Sequence, residues 1–306
     1  MKKTAFIFPG QGSQSVGMGL DLYENFESAK KVFDTADKIL GNNISKICFE
    51  GPEEDLKQTV NTQPAILTTS IAALEALKSK IDIEPAYTAG HSLGEYAAYY
   101  TAGAITLEDT LKLIQKRAEL MSQTKGGSMA AILNSDKETI KECMQQAEGY
   151  VAIANYNSPK QIVITGDDNA VKQTCNLLSD RGVKRVVPLA VSGAFHSEFM
   201  RSAGEKFAEF VKNIETKETT IPVVTNVDAE FTTSNFKEKM PKQIYSSVLW
   251  MQSIEKMIAN GVDTFIEFGN GTVLAGLNRK ISPDITTINV SDKETLENAV
   301  KILSEV

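Results

Sequence analysis

Residues 88–96 read Thr-Ala-Gly-His-Ser-Leu-Gly-Glu-Tyr, and this stretch decides how the chain is interpreted. Within it, residues 90–94 match the G-x-S-x-G nucleophile elbow, a sharp turn from a strand into a helix that exposes one serine oxygen. The turn leaves no room for a Cβ on either side of the serine, so glycine stands at both ends. The Ala- and Tyr-rich run 95–102 predicts the helix that follows. The stretch therefore indicates an α/β fold with Ser92 as a candidate nucleophile.

A serine hydroxyl is a poor nucleophile without a positioned base, which is most often histidine. The chain has two histidines. His91 adjoins Ser92 on the tight turn, where neighbouring side chains diverge. His196 lies in a loop between a strand-like run (186–191) and a helix-like run (198–211), and is the better candidate. No Asp stands in an evident triad position after the serine, so a dyad oriented by a backbone carbonyl remains open.

A second candidate group is Arg117, within a segment (106–123) that predicts an amphipathic helix with Thr106 as N-cap. The arginine shares its helix face with apolar neighbours three and four residues away: Leu113, Ile114, Leu120 and Met121. A buried charge without a partner is costly, so Arg117 needs an anion. An internal acidic side chain and a substrate carboxylate both remain open, since the planar guanidinium binds carboxylates through two hydrogen bonds.

The N-terminal segment predicts a short strand (4–8) that runs into Pro9-Gly10-Gln11-Gly12. Such a loop exposes backbone N–H groups, which can stabilise an oxyanion. Its glycines miss the G-x-G-x-x-G spacing, and no Gly-Lys-Ser/Thr follows, so nucleotide-binding loops are excluded.

Taken in order along nearly the whole chain, these motifs resemble those of the malonyl-CoA:acyl carrier protein transacylases. The matching stretches are residues 8–14, 90–95, Arg117, Gly193-Ala194-Phe195-His196-Ser197, Asn226-Val227-Asp228, Gln243 and 269–274. The resemblance implies that Ser92 is the nucleophile, His196 the base and Arg117 the ligand of a carboxylate. It also implies an oxyanion hole formed by the backbone N–H groups of Gln11 and Leu93.

The resemblance further implies ping-pong transfer of a malonyl group from malonyl-CoA, through a malonyl-serine ester, to the phosphopantetheine thiol of acyl carrier protein. The pathway would be fatty acid biosynthesis, with no metal or other cofactor. Gln243 would support the histidine, largely through its main chain. Phe195 would restrict the acyl group unless it is a core residue, and Asn155 and Asn226 would border the cleft unless they merely form turns.

Two positions depart from the family pattern: Lys160 stands where relatives often have glycine, and Asn270 where they often have proline. A basic cluster at Arg181, Lys184 and Arg185, with Lys172 nearby, usually indicates a solvated face. It is also a candidate surface for the acidic carrier protein.

Alternating helical and strand patterns predict a parallel α/β sheet; they include a helix over 21–40 and strands over 221–225 and 264–268. Ser291 and Glu294 are spaced as the capping box of a terminal helix. Between residues 128 and 188 the order is β-α-β-β-α-β, which is typical of a ferredoxin-like unit. We therefore expect an α/β-hydrolase-like catalytic core (1–125 and 196–306) with an inserted ferredoxin-like subdomain (126–195), and the site between them.

Composition agrees with a globular enzyme: 42% of residues are hydrophobic and 23% charged. The net charge of −7 argues against nucleic-acid binding. Cys48, Cys143 and Cys175 are scattered and predict free thiols in a reducing compartment. No signal-peptide core or membrane-spanning run is evident, so we expect a cytoplasmic protein without membrane contact, and nothing demands more than a monomer.

Three other functions stay open at this point. An esterase or thioesterase would share the elbow and the dyad and differ only in using water as acceptor. A non-catalytic binding module could have kept the scaffold, although Ser92, His196 and Arg117 are all present. An acyltransferase that serves a polyketide assembly line would look almost the same.

Overall fold

The structure is a computed structural model that describes residues 3–191 and 193–304. Its strands are β1 (Thr4–Phe8), β2 (Tyr87–Gly90), β3 (Ser128–Leu133), β4 (Val151–Ser158), β5 (Gln161–Gly166), β6 (Arg185–Pro188), β7 (Val223–Val224), β8 (Phe231–Thr232), β9 (Thr264–Phe268) and β10 (Thr286–Val290). Its helices are α1 (Leu20–Asn25), α2 (Glu27–Leu40), α3 (Ile44–Glu50), α4 (Glu53–Leu56), α5 (Thr59–Lys78), α6 (Glu95–Thr101), α7 (Leu107–Gln123), α8 (Lys137–Gln146), α9 (Asp168–Asp180), α10 (Arg201–Val211), α11 (Phe236–Tyr245), α12 (Trp250–Ala259), α13 (Val273–Ile281) and α14 (Lys293–Ser304). Short 3-10 turns lie at Ser92–Gly94 and Glu198–Met200.

The larger sheet has the strand order β10-β9-β1-β2-β7-β8, with parallel neighbours except for the β7–β8 pair. Strand β1 is central and buried on both faces: Phe6 and Phe8 join one core cluster, Ala5 and Ile7 another. Helices therefore cover both sides of the sheet. Phe8 pairs with Gly90, so the loops after β1 and β2 leave the sheet side by side at its carboxyl edge. Ligands of open α/β sheets bind at this edge.

The smaller sheet has the order β4-β5-β3-β6 with antiparallel pairs throughout. Along β3, Ala130 and Ile132 pack in a cluster with residues of α8 and α9, whereas Met129 and Ala131 join the main core. One face of this sheet is thus covered by its own helices and the other by the larger unit. This is the ferredoxin-like arrangement, and the predicted fold class is confirmed.

Backbone hydrogen bonds connect strand β4 of the smaller sheet to Val248, in the segment between α11 and α12 of the larger unit. Its N–H donates to the carbonyl of Ala154 (2.8 Å), and its carbonyl accepts the N–H of Tyr156 (2.9 Å). The hydroxyl of Ser247 donates to the carbonyl of Ile153 at 2.6 Å. The domain limits at 125/126 and 195/196 stay predictions, and the outer limits at 1 and 306 lie outside the described residues.

Two local predictions differ from the structure. The helix expected from residue 21 to 40 is interrupted at Phe26, whose extended backbone separates α1 from α2 while its side chain enters the core. The capping box expected at Ser291 and Glu294 lies one residue later. There Asp292 Oδ1 accepts the N–H of Thr295 (2.8 Å), and Thr295 Oγ1 accepts the N–H of Asp292 (3.1 Å).

Helix α7 agrees closely with its sequence pattern. Thr106 Oγ1 accepts the N–H of Asp109 at 3.1 Å and caps the helix as predicted. The apolar neighbours of Arg117 on this helix are all buried. The arginine is therefore held inside the molecule, beneath the carboxyl edge of the larger sheet.

Candidate active site

Ser92 stands at the tip of the turn between β2 and α6, with a φ of 52°. Serine rarely adopts this left-handed conformation, and such strain concentrates at functional sites. A Cβ on Gly90 would lie 1.9 Å from the carbonyl carbon of Gly94, and a Cβ on Gly94 would lie 2.3 Å from the carbonyl oxygen of Phe8. The turn can therefore form only with glycine at both positions, as the elbow motif requires.

Two side-chain amides hold this turn from behind. Asn226 Oδ1 accepts the N–H of Ser92 (2.8 Å), and Asn226 Nδ2 donates to the carbonyl of Gly90 (2.7 Å). Gln243 Nε2 donates to the carbonyl of Ser92 at 2.7 Å. The resemblance implies that Asn226 borders the cleft and that Gln243 supports the histidine, largely through its main chain. The structure buries both side chains behind the elbow, where the backbone of the strained turn uses their polar atoms, and their contact with substrate stays a prediction.

His196 lies beside the serine, with its Nε2 2.8 Å from Ser92 Oγ. Its Nδ1 lies 3.0 Å from the carbonyl of Gln243 and 3.1 Å from that of Ser246. Carbonyls only accept hydrogen bonds, so Nδ1 carries the proton and Nε2 presents its lone pair to the hydroxyl. The pair is thus a dyad oriented by backbone carbonyls.

The electrostatic surroundings keep this histidine neutral. Burial, followed by the charges of Arg117 and His91, lowers the pKa of His196 to about 3. An imidazole in this state can accept a proton from Ser92 at neutral pH. His91 points elsewhere, because its Nε2 forms a 2.8 Å hydrogen bond with Asn157 Oδ1.

Arg117 is 1% exposed and contacts the same serine oxygen from the other side. Its Nη2 donates to Ser92 Oγ and to Gln243 Oε1, both at 3.0 Å, and its Nη1 donates to Gln63 Oε1 at 2.5 Å. Within residues 3–191 and 193–304 no carboxylate forms a salt bridge with this guanidinium, and its Nε has no hydrogen-bond partner. The buried charge therefore retains capacity to bind an anion.

A pocket of about 100 Å³ surrounds these groups. Its polar lining consists of Gln11, Gln63, His91, Ser92, Asn155, Arg117 and His196. Its apolar lining consists of Leu93, Met121, Met129, Leu189, Val191 and Phe195. Residues from both units thus form the walls, and Asn155 and Phe195 are among them. Their contact with a substrate stays a prediction.

The loop after β1 is pressed against the elbow. A Cβ on Gly10 would lie 2.8 Å from the carbonyl oxygen of His91, so only glycine permits this approach. Gln11 and Leu93 both line the pocket. Asn270, one of the departures from the family pattern, anchors the same loop by donating to the carbonyl of Ser13 (2.6 Å) and to Ser15 Oγ (3.0 Å). The other departure, Lys160, lies in the exposed turn between β4 and β5.

Sequence reasoning missed two buried polar residues at the site. Gln63 lies in the apolar helix α5 and accepts from Arg117, and Glu95 lies directly after the elbow with no exposed surface. In both cases the available signal was a polar residue at the start of an apolar run. The two methionines in the pocket wall carried no such signal, because methionine is an ordinary core residue.

Within the described residues no group of three or more His, Cys, Asp and Glu side chains could hold a metal ion. Over the same residues, no helix combines the length and apolar character needed to cross a membrane.

Comparison with known proteins shows which proteins this chain is similar to. A family model described as an acyl transferase domain matches residues 5–284. The malonyl CoA-acyl carrier protein transacylase of Bacillus subtilis (strain 168) is 47% identical over 313 residues, which cover 100% of this chain and 98% of the relative. A crystal structure of the transacylase of the same name from Clostridium perfringens has a TM-score of 0.94 at 38% identity, covering 99% and 98% of the two chains. A malonyl-transacylase solved in complex with its type II PKS acyl-carrier protein has a TM-score of 0.95 at 34% identity, covering 98% and 99%.

Proposed function

This chain belongs to the malonyl CoA-acyl carrier protein transacylase family, and on that premise we propose how its residues perform the reaction. The protein transfers a malonyl group from malonyl-CoA to the phosphopantetheine thiol of acyl carrier protein, in fatty acid biosynthesis. One observation carries the assignment of roles: Ser92 Oγ lies 2.8 Å from His196 Nε2 and 3.0 Å from Arg117 Nη2. A nucleophile, a base and a cation for the malonyl carboxylate thus meet at one oxygen.

In the first half-reaction, His196 Nε2 takes the proton of Ser92 while Oγ attacks the thioester carbonyl carbon. The backbone N–H groups of Gln11 and Leu93 receive the oxyanion, and losing one such donor typically costs about 3–4 kcal/mol of transition-state stabilisation. The carbon–sulfur bond then breaks. The CoA sulfur leaves with the proton from His196, and a malonyl ester remains on Ser92.

The malonyl carboxylate of this ester binds Arg117. Gln63 and Gln243 supply neutral carbonyl oxygens that orient the guanidinium without neutralising it. A charge held in this way binds the carboxylate more strongly than an exposed one, because water screens it less. Phe195 and Asn155 face the acyl group, and the phenyl ring crowds any substituent on its α-carbon.

In the second half-reaction, His196 takes the proton of the phosphopantetheine thiol, whose sulfur attacks the ester carbonyl. The oxyanion again lies between Gln11 and Leu93. The ester bond breaks, and Ser92 Oγ recovers the proton from His196. Every proton therefore passes through one imidazole, and no step requires a metal or redox cofactor.

The partner follows from the relative that was solved with its carrier protein. We extend that pairing to this chain and infer that it acts as a cytoplasmic monomer without membrane or nucleic-acid partners. The net charge of −7 supports the last point, since nucleic-acid binding depends on basic surface.

The test is intact-protein mass after brief mixing with malonyl-CoA, followed by a chase with phosphopantetheinylated carrier protein. We expect a malonyl adduct on the wild type, its transfer to the carrier, and no adduct on Ser92→Ala. An adduct that decays to free malonate with or without carrier would identify a hydrolase instead. Absence of both adduct and turnover would favour a binding module.

A further inference from the structure

Glu95 is a buried ionisable group that the steps above do not use. Its side chain has no exposed surface, and no described residue forms a salt bridge with it. Its Oε2 accepts the backbone N–H of Asn226 and its Oε1 accepts the hydroxyl of Tyr99, both at 2.5 Å. A carboxylate buried without an ion pair is costly. Its position directly behind the nucleophile therefore needs an explanation.

The hydrogen bonds connect Glu95 to the serine through a single residue. Glu95 fixes the backbone of Asn226, and the side chain of Asn226 holds the backbone of Ser92 and Gly90. The turn under this control is the strained one, with Ser92 at a φ of 52°. A strained conformation persists only where its surroundings hold it. The strength of the hydrogen bond between Glu95 and Asn226 therefore affects the position of Ser92 Oγ.

We propose that Glu95 is a positioning residue whose ionised carboxylate, acting through Asn226, holds the elbow in the geometry in which Ser92 attacks. Hydrogen bonds to an ionised acceptor are roughly twice as strong as neutral ones. Protonation of Glu95 therefore loosens Asn226 and slows acylation, whichever acyl group is offered. This inference rests on the function proposed above.

The proposal has a consequence for the pH dependence of acylation. Burial raises the pKa of Glu95 to about 7, although hydrogen bonds from Tyr99 and Asn226 and the charge of Arg117 act in the opposite direction. The carboxylate thus gains its charge, and the elbow its support, as the pH rises through about 7. The protonated form predominates below that value.

The other titratable groups around Glu95 keep their charge states in this range. On its own helix, burial raises the pKa of both Tyr96 and Tyr99, which stay neutral. From α7, Arg117 stays cationic, because arginine is not deprotonated in proteins. After β7, hydrogen bonds lower the pKa of Asp228, whose charge acts on Tyr99, so it stays ionised.

The histidines of the pocket titrate at lower pH than Glu95. The pKa of His196 is about 3, and burial also lowers the pKa of His91 from its usual value. Between Glu95 and these two histidines, Glu95 is therefore the group that ionises near pH 7.

The experiment measures single-turnover acylation of Ser92 by intact-protein mass, with malonyl-pantetheine and acetyl-pantetheine, which carry no phosphate that titrates near neutral pH. For the wild type we expect about a tenfold rise in rate between about pH 6 and 8, as one ionisation near 7 requires. Glu95→Gln keeps the size of the side chain and an acceptor for Asn226 but cannot ionise. It should acylate slowly and independently of pH with both thioesters.

Two further variants separate positioning from a general loss of structure. Tyr99→Phe removes a hydroxyl that favours the ionised carboxylate, so the midpoint of the profile should move to higher pH. Glu267 is a second buried glutamate whose pKa burial raises to about 7, and it does not line the pocket. Glu267→Gln should therefore leave the midpoint of the acylation profile unchanged.

Three outcomes would each overturn the proposal. They are an acylation rate of the wild type that does not change with pH, a Glu95→Gln variant with the same pH profile as the wild type, and a Glu267→Gln variant that no longer shows the ionisation. Should Glu95→Gln fail to fold, Tyr99→Phe decides, and an unchanged midpoint would refute the proposal. Failure of the proposed function has a different signature, namely no malonyl adduct on the wild type at any pH.

Discussion

Arg117 carries a full charge among neutral hydrogen-bond acceptors. Its partners are two glutamine side chains and the hydroxyl of the nucleophile. An arginine with an internal carboxylate would already be neutralised and would have little attraction left for a substrate. We therefore expect the arrangement to distinguish a thioester with a free carboxylate from one that ends in a methyl group.

Arg117→Ala should reduce kcat/KM for malonyl-pantetheine about thirtyfold or more, because truncating one partner of a buried charge pair costs about 2–5 kcal/mol. Activity on acetyl-pantetheine should be kept or raised, since acetyl has no carboxylate to lose. Steady-state transfer rates on the two thioesters provide the comparison. Arg117→Lys serves as control. Its kcat/KM for malonyl-pantetheine should lie between those of the wild type and Arg117→Ala, because lysine keeps the charge but not the planar guanidinium that binds a carboxylate through two hydrogen bonds. Equal losses on both thioesters would show that Arg117 is structural.

At the scale of elements, Glu267 connects strand β9 to helix α13. Its two carboxylate oxygens accept the N–H groups of Leu274 and Ala275, each at 2.9 Å, and thereby cap a helix whose N-cap residue Thr272 makes no side-chain hydrogen bond. Burial raises the pKa of this carboxyl to about 7, above its usual 4.5. Between those values the native state binds more protons than the unfolded chain. Stability from this group therefore falls as the pH rises.

Glu267→Gln should remove this contribution to the pH dependence. From about pH 4.5 to 7, the free energy of unfolding of the wild type should fall relative to the variant by up to about 1.4 kcal/mol per pH unit. Urea unfolding at a series of pH values measures the difference. Glu255→Gln, at an exposed position of α12, is the matched control and should follow the wild type. Parallel curves for wild type and Glu267→Gln would contradict the prediction.

Elements with a strong local signal could be predicted from the sequence. Helix α7 with its cap at Thr106, strand β9, and the β-α-β-β-α-β order of the smaller sheet all appear as expected. The break at Phe26 and the two-residue strand β8 could not be predicted, because tertiary contacts and not local periodicity determine them.

The same limit applies to the candidate site. Ser92, His196 and Arg117 each stand in a distinctive local pattern. In contrast, Gln63 contacts Arg117 across 54 positions of the sequence, and Glu95 contacts Asn226 across 131. Only the folded chain brings these buried polar groups together, so their parts in orienting the arginine and the elbow follow from the structure.

At the scale of the whole molecule, the residues of the predicted basic cluster differ in whether they form salt bridges. Arg181 forms a 2.6 Å salt bridge with Glu142, whereas no described residue forms one with Lys184 or Arg185. Arg185 begins β6, which leads to Leu189 in the pocket wall about 13 Å away. An acidic carrier protein bound at this edge would therefore lie close to the pocket.

Reversing both charges with Lys184→Glu and Arg185→Glu should slow transfer from the acylated enzyme to carrier protein about tenfold at low salt. The effect should fade as salt screens the charges. Acylation by malonyl-pantetheine should stay at the wild-type rate. The matched control is Lys30→Glu with Lys31→Glu, an adjacent exposed pair on α2. Equal slowing by both double variants, or by neither, would remove this edge as the docking surface.

The hydrogen bonds of Val248 with Ala154 and Tyr156 have a consequence for the entropy of catalysis. They join the smaller sheet to the larger unit on either side of Asn155 in the pocket wall, so a hinge motion that separated β4 from Val248 would have to break them. This part of the wall is thus in place before any substrate arrives. Conformational freedom that a closing lid would lose at every turnover is lost here once, when the chain folds.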